Sequence, residues 1–431
     1  MSEIRNSILK VGASVFAVLL LLSFWNGELR AQGSPYDLIG FGTPVVTQSA
    51  RLEGLGGTAV ASTESRTIND ENPAAIAMMT RARIEAQLGF SYCKSDLGAD
   101  ENVQHVVKFS GASFATPLWG NYFGFALGFA PITNADAQTN NLDSLGSTIA
   151  RREGGLSQFY LALSARVLSA LNLGGRADFL FGNIRTISQA SVAGGVESEP
   201  GIFQREYALS GIRGTFGFLL TLDSLVPELK GLTIGGVYSS GSALTSKQRT
   251  IVTPANSLLD SIIEKVGYGS YPSQIRLGIA SRFGDRYRVE ANIIGQDFSN
   301  ALVYSPTSTF SGDPNLGSSN RYSIGIERLP VMGDQSKGVG FWERAGLRIG
   351  ASFATLPVRP DTKMSVSETS FSAGIGLPLN AESSFDFALT LGIRSPQDAN
   401  LAPKDFFFKM RASISLSEKW FVPLRRGDDD E

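Results

Sequence analysis

The chain has almost no cysteine or histidine, with one of each among 431 residues. The single cysteine, Cys93, has no partner for an internal disulfide or a thiolate metal cluster, and the single histidine, His105, excludes a His-rich zinc site. Charged residues are also scarce, at 18 % against roughly 25 % in ordinary globular domains. Basic and acidic groups nearly cancel, 38 against 40, whereas a nucleic-acid-binding protein normally carries a basic face. We therefore expect no metal site, no cofactor and no nucleic-acid partner.

Long hydrophobic runs are lacking too, apart from one near the N-terminus. Residues 11–25 form an apolar stretch that follows Arg5 and Lys10 and precedes the small residue Ala31. This order of basic, apolar and small residues is typical of a secretory signal peptide, which we predict at residues 1–31. The alternative is a membrane-anchoring helix, which needs about 20 apolar residues, and the run is shorter. The mature chain is therefore expected to leave the inner membrane.

Glycine is abundant, with 47 residues, and from about residue 81 apolar residues recur with a period of two. In residues 83–92, apolar side chains from Ile84 to Tyr92 alternate with polar ones such as Arg83 and Glu85. This period predicts β-strands, about 14 in number and mostly longer than soluble strands. A glycine-rich, charge-poor chain in which half of each strand is apolar is typical of a membrane β-barrel. The predicted fold is all-β, a transmembrane antiparallel β-barrel over residues 81–421.

The charged residues inside the strands fall on the face opposite the apolar one. In a barrel this face lines the lumen, and the lumen-facing candidates are Arg176, Asp178, Arg276, Arg288, Glu290 and Arg348. A soluble β-sandwich alternates as well, but its polar face usually carries many lysines and glutamates. The mixture of Arg, Asp, Glu, Gly, Ser and Asn in this chain favours a narrow polar interior.

The connections between strands indicate two different rims. Short links are predicted near residues 117–120, 169–170, 284–285 and 378–382. Long loops are predicted at 132–155, 185–204, 242–271 and 299–320. Short turns on one rim and long loops on the other are typical of outer-membrane barrels, and an even strand number returns both chain ends to the periplasm. The link at 331–341 is an exception, because it is longer than its rim predicts.

Residues 32–80 lack this alternation and are rich in small residues. Gly54, Gly56, Gly57 and Pro73 interrupt the segment, and the glycine spacing matches neither a dinucleotide-binding loop nor a Walker loop. We predict a compact plug inside the lumen, where bulky side chains have little room.

Two motifs in this plug resemble a known family. The segment ARLEGLGGTAVA at residues 50–61 and the segment ENPAAIA at residues 71–77 are similar to the N-terminal hatch of the FadL-type outer-membrane transporters of long-chain fatty acids and other hydrophobic compounds. The resemblance implies a barrel with the strand number counted above, and it places the hatch motif at Asn72, Pro73 and Ala74. The same motifs are shared with the PorV-like barrels that take part in protein secretion.

The resemblance implies a function in the cell outer membrane. It predicts passive uptake of a hydrophobic small molecule, such as a long-chain fatty acid, through a channel gated by the hatch. The candidate gate residues are Gly54, Gly56, Gly57, Asn72, Pro73 and Ala74. The alternative is a PorV-like, non-transporting barrel that binds or shuttles partner proteins. Expected partners are the hydrophobic ligand, the outer-membrane lipids and, during biogenesis, the barrel-assembly machinery, and the barrel is expected to be a monomer.

Signals for catalysis are weak. Ser91 and Lys94 match a Ser-x-x-Lys pattern that often occurs by chance, and nothing in the sequence marks a nucleophile or an acid for His105. We therefore predict that the protein is not an enzyme. The charged tail at residues 422–431 is expected to be a periplasmic appendage, with metal binding as the alternative.

Overall fold

The computed structural model describes most of the chain between residues 33 and 418. The described ranges are 33–46, 49–96, 101–119, 122–143, 146–192, 200–224, 229, 231–255, 260–284, 286–309, 311–331, 338–362, 364–380, 382–398 and 402–418. The predicted signal peptide at 1–31 and the predicted tail at 422–431 lie outside these ranges.

The chain forms a closed antiparallel barrel of 14 strands, which confirms the predicted fold class. The strands are β1 Ala82–Asp96, β2 Glu101–Leu118, β3 Phe123–Pro131 and Ala137–Asp143, β4 Gly146–Arg166, β5 Leu171–Val192, β6 Gly201–Thr221, β7 Leu232–Ser239 and Ser242–Thr253, β8 Ser261–Tyr271 and Gln274–Phe283, β9 Tyr287–Asp297 and Leu302–Ser305, β10 Ser318–Arg328, β11 Gly346–Thr355, β12 Val366–Pro378, β13 Ser384–Pro396 and β14 Lys404–Glu418. Each strand pairs with the next, and β1 pairs with β14 from Ala82 opposite Glu418 to Asp96 opposite Lys404. This last pairing closes the barrel.

Helices are few and short. The α-helices are α1 at Ala50–Gly54 and α2 at Phe341–Arg344, and 3-10 turns occur at Pro35–Leu38, Pro73–Met78 and Leu222–Ser224. In the described ranges, none of these helices has the length and apolar character needed to cross a membrane.

The two faces of the strands meet different surroundings. Ile84, Leu277 and Ile293 point outward and are 54 %, 54 % and 51 % exposed, whereas Arg83 and Glu85 point inward and are buried. Because the outward residues would meet lipid, this arrangement accounts for the period of two in the sequence.

Three of the four predictions of a long loop are wrong, because the strands continue through these segments. Residues 137–143, 146–155, 185–192, 242–253 and 261–271 are all strand. The strands β4, β5 and β6 contain 21, 22 and 21 residues. At about 3.3 Å per residue and a tilt near 40°, such a strand rises about 50 Å, roughly twice the height of the apolar band of a membrane barrel. One side of the barrel wall therefore extends well beyond that band.

This extension, the projecting sheet, consists of residues 137–143, 146–153, 185–192, 201–207, 247–253 and 261–267. It lies at the rim opposite the short turn at residues 167–170. The link between β10 and β11 at the turn rim contains α2, which explains why this link is longer than its rim predicts.

Residues 33–46 and 49–80 lie inside the lumen as a plug, against the inward faces of the strands. The first part packs apolar side chains below the projecting sheet, where Phe41 lies edge-on to Tyr271 with ring centroids 5.4 Å apart. Leu156 and Leu180 on the wall belong to the same apolar cluster. The second part, residues 49–80, lies nearer the turn rim and meets a mainly polar wall.

Candidate functional site

Asn72 and Pro73 start a 3-10 turn that holds the plug together. Asn72 is fully buried; its Oδ1 accepts the Ala74 N–H at 3.0 Å, and its Nδ2 donates to the Val60 carbonyl at 2.7 Å. The same Nδ2 donates to the carbonyl of Phe218 on β6 at 3.1 Å. Pro suits the first position of the turn because its φ is already set and its missing N–H would have no partner there. The hatch motif thus joins two parts of the plug to the wall.

The three candidate glycines allow the plug backbone to turn close to the wall. Gly56 and Gly57 have φ of 72° and 84°, a backbone conformation that residues with a side chain rarely adopt. The Gly56 N–H donates to Ser372 Oγ on β12 at 2.9 Å. A Cβ on Gly56 would lie 2.8 Å from the Ala351 carbonyl oxygen, and one on Gly54 would lie 3.0 Å from the Gly374 Cα. Gly56 and Gly57 therefore require glycine for their backbone conformation, whereas Gly54 lies in tight contact with the wall.

Glycines on the wall form the other half of this contact, and sequence reasoning missed them. At seven inward positions an added Cβ would clash with the backbone or a side chain of the plug. These positions are Gly124, Gly174, Gly217, Gly235, Gly278, Gly325 and Gly350. The sequence contains a signal for this contact, because the alternation within each strand places these glycines at inward positions. Gly350, for example, lies between inward-facing Arg348 and Ser352.

A buried ion-pair cluster also joins the plug to the wall. Glu327 on β10 accepts two hydrogen bonds from Arg51 of α1, at 3.0 and 2.5 Å, and one from Arg348 on β11 at 2.8 Å. Arg348 in turn donates to Asp386 on β13 at 2.5 Å. Removing one partner of such a buried pair would leave an unpaired charge, so the cluster resists withdrawal of the plug.

The other lumen-facing candidates are buried as well. Arg276 donates to the Glu71 carboxylate of the plug at 2.6 Å, and Arg176 donates to the backbone carbonyl of Asp70. Arg176 also pairs with Asp178 at 2.6 Å. Arg288 lies 3.7 Å from Glu290 and 3.7 Å from Glu64 of the plug. Burial, together with the neighbouring Glu71, raises the pKa of Asp70 to about 7.

A cavity of about 200 Å³, the wall cavity, lies between the plug and the part of the wall formed by β1, β2 and β10 to β14. Val106, Phe109 and Phe407 contribute apolar surface to it. The charges in its lining are largely paired with one another, since Glu368 accepts from Arg394 at 2.9 Å and from Arg321 at 2.6 Å. The cavity therefore offers an uncharged molecule an apolar surface with few unpaired charges.

This cavity lies where the wall is incompletely paired. Between β2 and β3, pairing extends from Leu118 opposite Phe123 to Ala112 opposite Phe129. Beyond that point β3 breaks, and within the described ranges its second part, Ala137–Asp143, pairs with β4 alone. Lys108 of β2 crosses the resulting gap to Asn134 and Asp136. Phe109, which points outward and is 51 % exposed, also lines the cavity, so the cavity reaches toward the lipid face.

The candidate catalytic residues do not come together. Ser91 faces the cavity, Lys94 lies on the other face of β1, and His105 is exposed on β2 opposite Tyr92. In the part of the chain that the structure describes, no three His, Cys, Asp or Glu side chains are grouped as metal ligands.

A closed 14-stranded barrel with an N-terminal plug is also the fold of several known transport proteins. A FadL homologue of Pseudomonas aeruginosa is 13 % identical, with a TM-score of 0.58 over 88 % of this chain and 99 % of that one. The toluene transporters TbuX of Ralstonia pickettii and TodX of P. putida are each 15 % identical, with TM-scores of 0.56 over 89 % of this chain and 99 % of theirs. The resemblance to the FadL type is thus confirmed for the fold. No curated protein matches the sequence significantly.

The family model named BamG matches residues 10–425. The chain belongs to the BamG family.

Proposed function

We propose that the protein is a passive outer-membrane channel through which small hydrophobic compounds pass by way of the wall cavity. The main observation behind this proposal is the position of the cavity at the gap between β2 and β3, where a molecule could leave sideways into the lipid. The solved transporters with the same fold support this role, since TbuX and TodX are described as toluene transporters. The barrel would act as a monomer among the outer-membrane lipids, after insertion by the barrel-assembly machinery.

The size of the cavity favours a compact substrate over a long-chain fatty acid. An engineered apolar cavity of roughly 150 Å³ holds benzene, whereas pockets for larger ligands are about 300–1,000 Å³. The cavity of about 200 Å³ therefore fits a single-ring compound. A long alkyl chain would need the plug or the wall to move.

The plug residues predicted as a gate are better suited to holding the plug in place. Asn72 and Pro73 attach it to β6, Ala74 is buried, and Gly54, Gly56 and Gly57 fit against the wall. Opening by withdrawal of the plug would break the Arg51–Glu327 pair. We therefore propose that the compound passes beside a stationary plug.

The test compares two tryptophan variants at adjacent positions of β2. Val106→Trp fills the cavity, whereas Val107→Trp places the same side chain on the outward face. Cells producing each variant are given radiolabelled toluene or palmitate, and the initial uptake is measured. We expect Val106→Trp to lower toluene uptake to the level of cells without the protein and Val107→Trp to leave it unchanged. Palmitate uptake as fast as that of toluene would contradict the size argument, and toluene uptake independent of the protein would contradict the function.

A second role, the binding of partner proteins in the manner of PorV-like barrels, has its own support. The ion-paired plug closes most of the lumen, and the projecting sheet extends beyond the apolar band of the wall. Neither feature is needed for a cavity in the wall near β1 and β2.

A further inference from the structure

The projecting sheet ends in a free edge at the start of β8. Residues 261–266 pair with β7, from Ser261 opposite Val252 to Val266 opposite Lys247. On the other side of β8, pairing within the described chain begins only at Tyr268, opposite Ser305 of β9. Every residue from 261 to 266 is exposed. Such an edge presents a row of unpaired backbone groups to which an extended peptide can add as another strand.

A ladder of alternating charge crosses the outward face of this sheet. Directly opposite positions on successive strands are occupied by Glu153, Arg185, Glu206, Arg249 and Glu264. Opposite charges in facing positions stabilise adjacent strands, and like charges destabilise them. Each charged residue of the ladder therefore faces a residue of opposite charge on the adjacent strand, up to the edge.

The last member of the ladder, Glu264, has a neighbour on one side only. Its side chain is 71 % exposed, and its Oε1 lies 3.6 Å from Arg249 Nε. The flanking outward residues, Ile262 and Val266, are 53 % and 68 % exposed. The edge thus presents an apolar, an acidic and an apolar side chain in sequence.

We propose that this edge binds an extended segment of a partner polypeptide whose outward side chains are apolar, basic and apolar. The basic residue would lie opposite Glu264 and continue the ladder, while the apolar residues would cover Ile262 and Val266. A second copy of the chain fits poorly. Antiparallel pairing of two such edges would place Ile262, Glu264 or Val266 of one copy opposite Glu264 of the other, and none of these three residues is basic. The inference rests on the partner-binding role and is independent of the wall cavity.

The test uses the purified full chain and two fluorescein-labelled peptides, TVTKTVT and TVTETVT, with binding followed by fluorescence anisotropy. We expect the lysine peptide to bind about fivefold more tightly than the glutamate peptide. Glu264→Lys should reverse this preference. Glu343→Lys makes the same change of charge on α2 at the opposite rim, and it should keep the preference of the unaltered protein.

Three results would overturn the proposal. The first is equal affinity for the two peptides, or a preference that Glu264→Lys leaves unchanged. The second is no binding of either peptide by protein whose heat-modifiable migration on gels shows that it is folded. The third is a dimer in sedimentation experiments that excludes the lysine peptide, which would show that a second copy of the chain occupies the edge. Toluene uptake by Glu264→Lys should equal that of the unaltered protein, so failure of the channel and failure of the edge remain distinguishable.

Discussion

Neighbouring residues of one strand, Arg276 and Leu277, lie in opposite environments. Leu277 is 54 % exposed on the outward face, whereas Arg276 is buried against Glu71 of the plug. Replacing Leu277 with Arg would place a charge in hydrocarbon, at a cost of about 2–4 kcal/mol near the midplane. We expect Leu277→Arg to prevent barrel assembly, measured as loss of heat-modifiable migration on gels.

Arg276→Gln is the matched control for this change. It removes an ion pair to the plug but places no charge in lipid, so the barrel should still assemble. Equal damage from Leu277→Arg and Arg276→Gln would mean that the two faces of β8 are wrongly assigned.

At this scale the sequence predicts which way a side chain points but not what it contacts. The alternation in β11 places Arg348 inward because Leu347 and Ile349 are apolar. It contains no signal for the cluster around Glu327, because the partners Arg51 and Glu327 are 276 residues apart. Such pairs arise only when the plug enters the barrel, so local patterns cannot reveal them.

The contact between the plug and the wall depends on small residues in the strands. A Cβ on Gly174 of β5 would overlap the backbone of Pro73, whereas one on Gly175 would face outward with Phe216 at 3.9 Å. We expect Gly174→Val to push the plug away from β5, and trypsin should then cut the folded protein faster after Arg66. Gly175→Val should be cut at the rate of the unaltered protein. Similar cleavage in both variants would show that the plug does not rely on this close contact.

Whole strands were predictable only where one of their faces meets lipid. Within that band, as in residues 83–92, the alternation of apolar and polar residues is clear. In the projecting sheet the outward positions carry Glu153, Arg185 and Glu206 instead of apolar residues, so the period of two disappears. The sequence therefore predicts loops at 185–204 and 242–271, where the structure has strands.

The barrel wall provides the folded framework of the molecule, and the plug closes its lumen. Each wall strand pairs with its neighbours over most of its length, so most of the barrel backbone is hydrogen-bonded without the plug. Deleting residues 32–80 should therefore leave a folded barrel with a water-filled, charged lumen. In planar bilayers we expect this variant to conduct ions far better than the intact protein. A deleted variant that folds but conducts no better would show that the wall side chains themselves close the lumen.

The central claim is that a hydrophobic compound passes the wall cavity while the plug stays in place. Gly54 of α1 and Arg348 of β11 are close enough for a disulfide to be introduced, since a Cβ on Gly54 would lie 3.6 Å from the Arg348 Cβ. The double variant Gly54→Cys and Arg348→Cys, once oxidised, would fix the plug to the wall. We expect its toluene uptake to be the same with and without reductant. Uptake that oxidation abolishes and reductant restores would contradict the account and show that the plug itself is the gate.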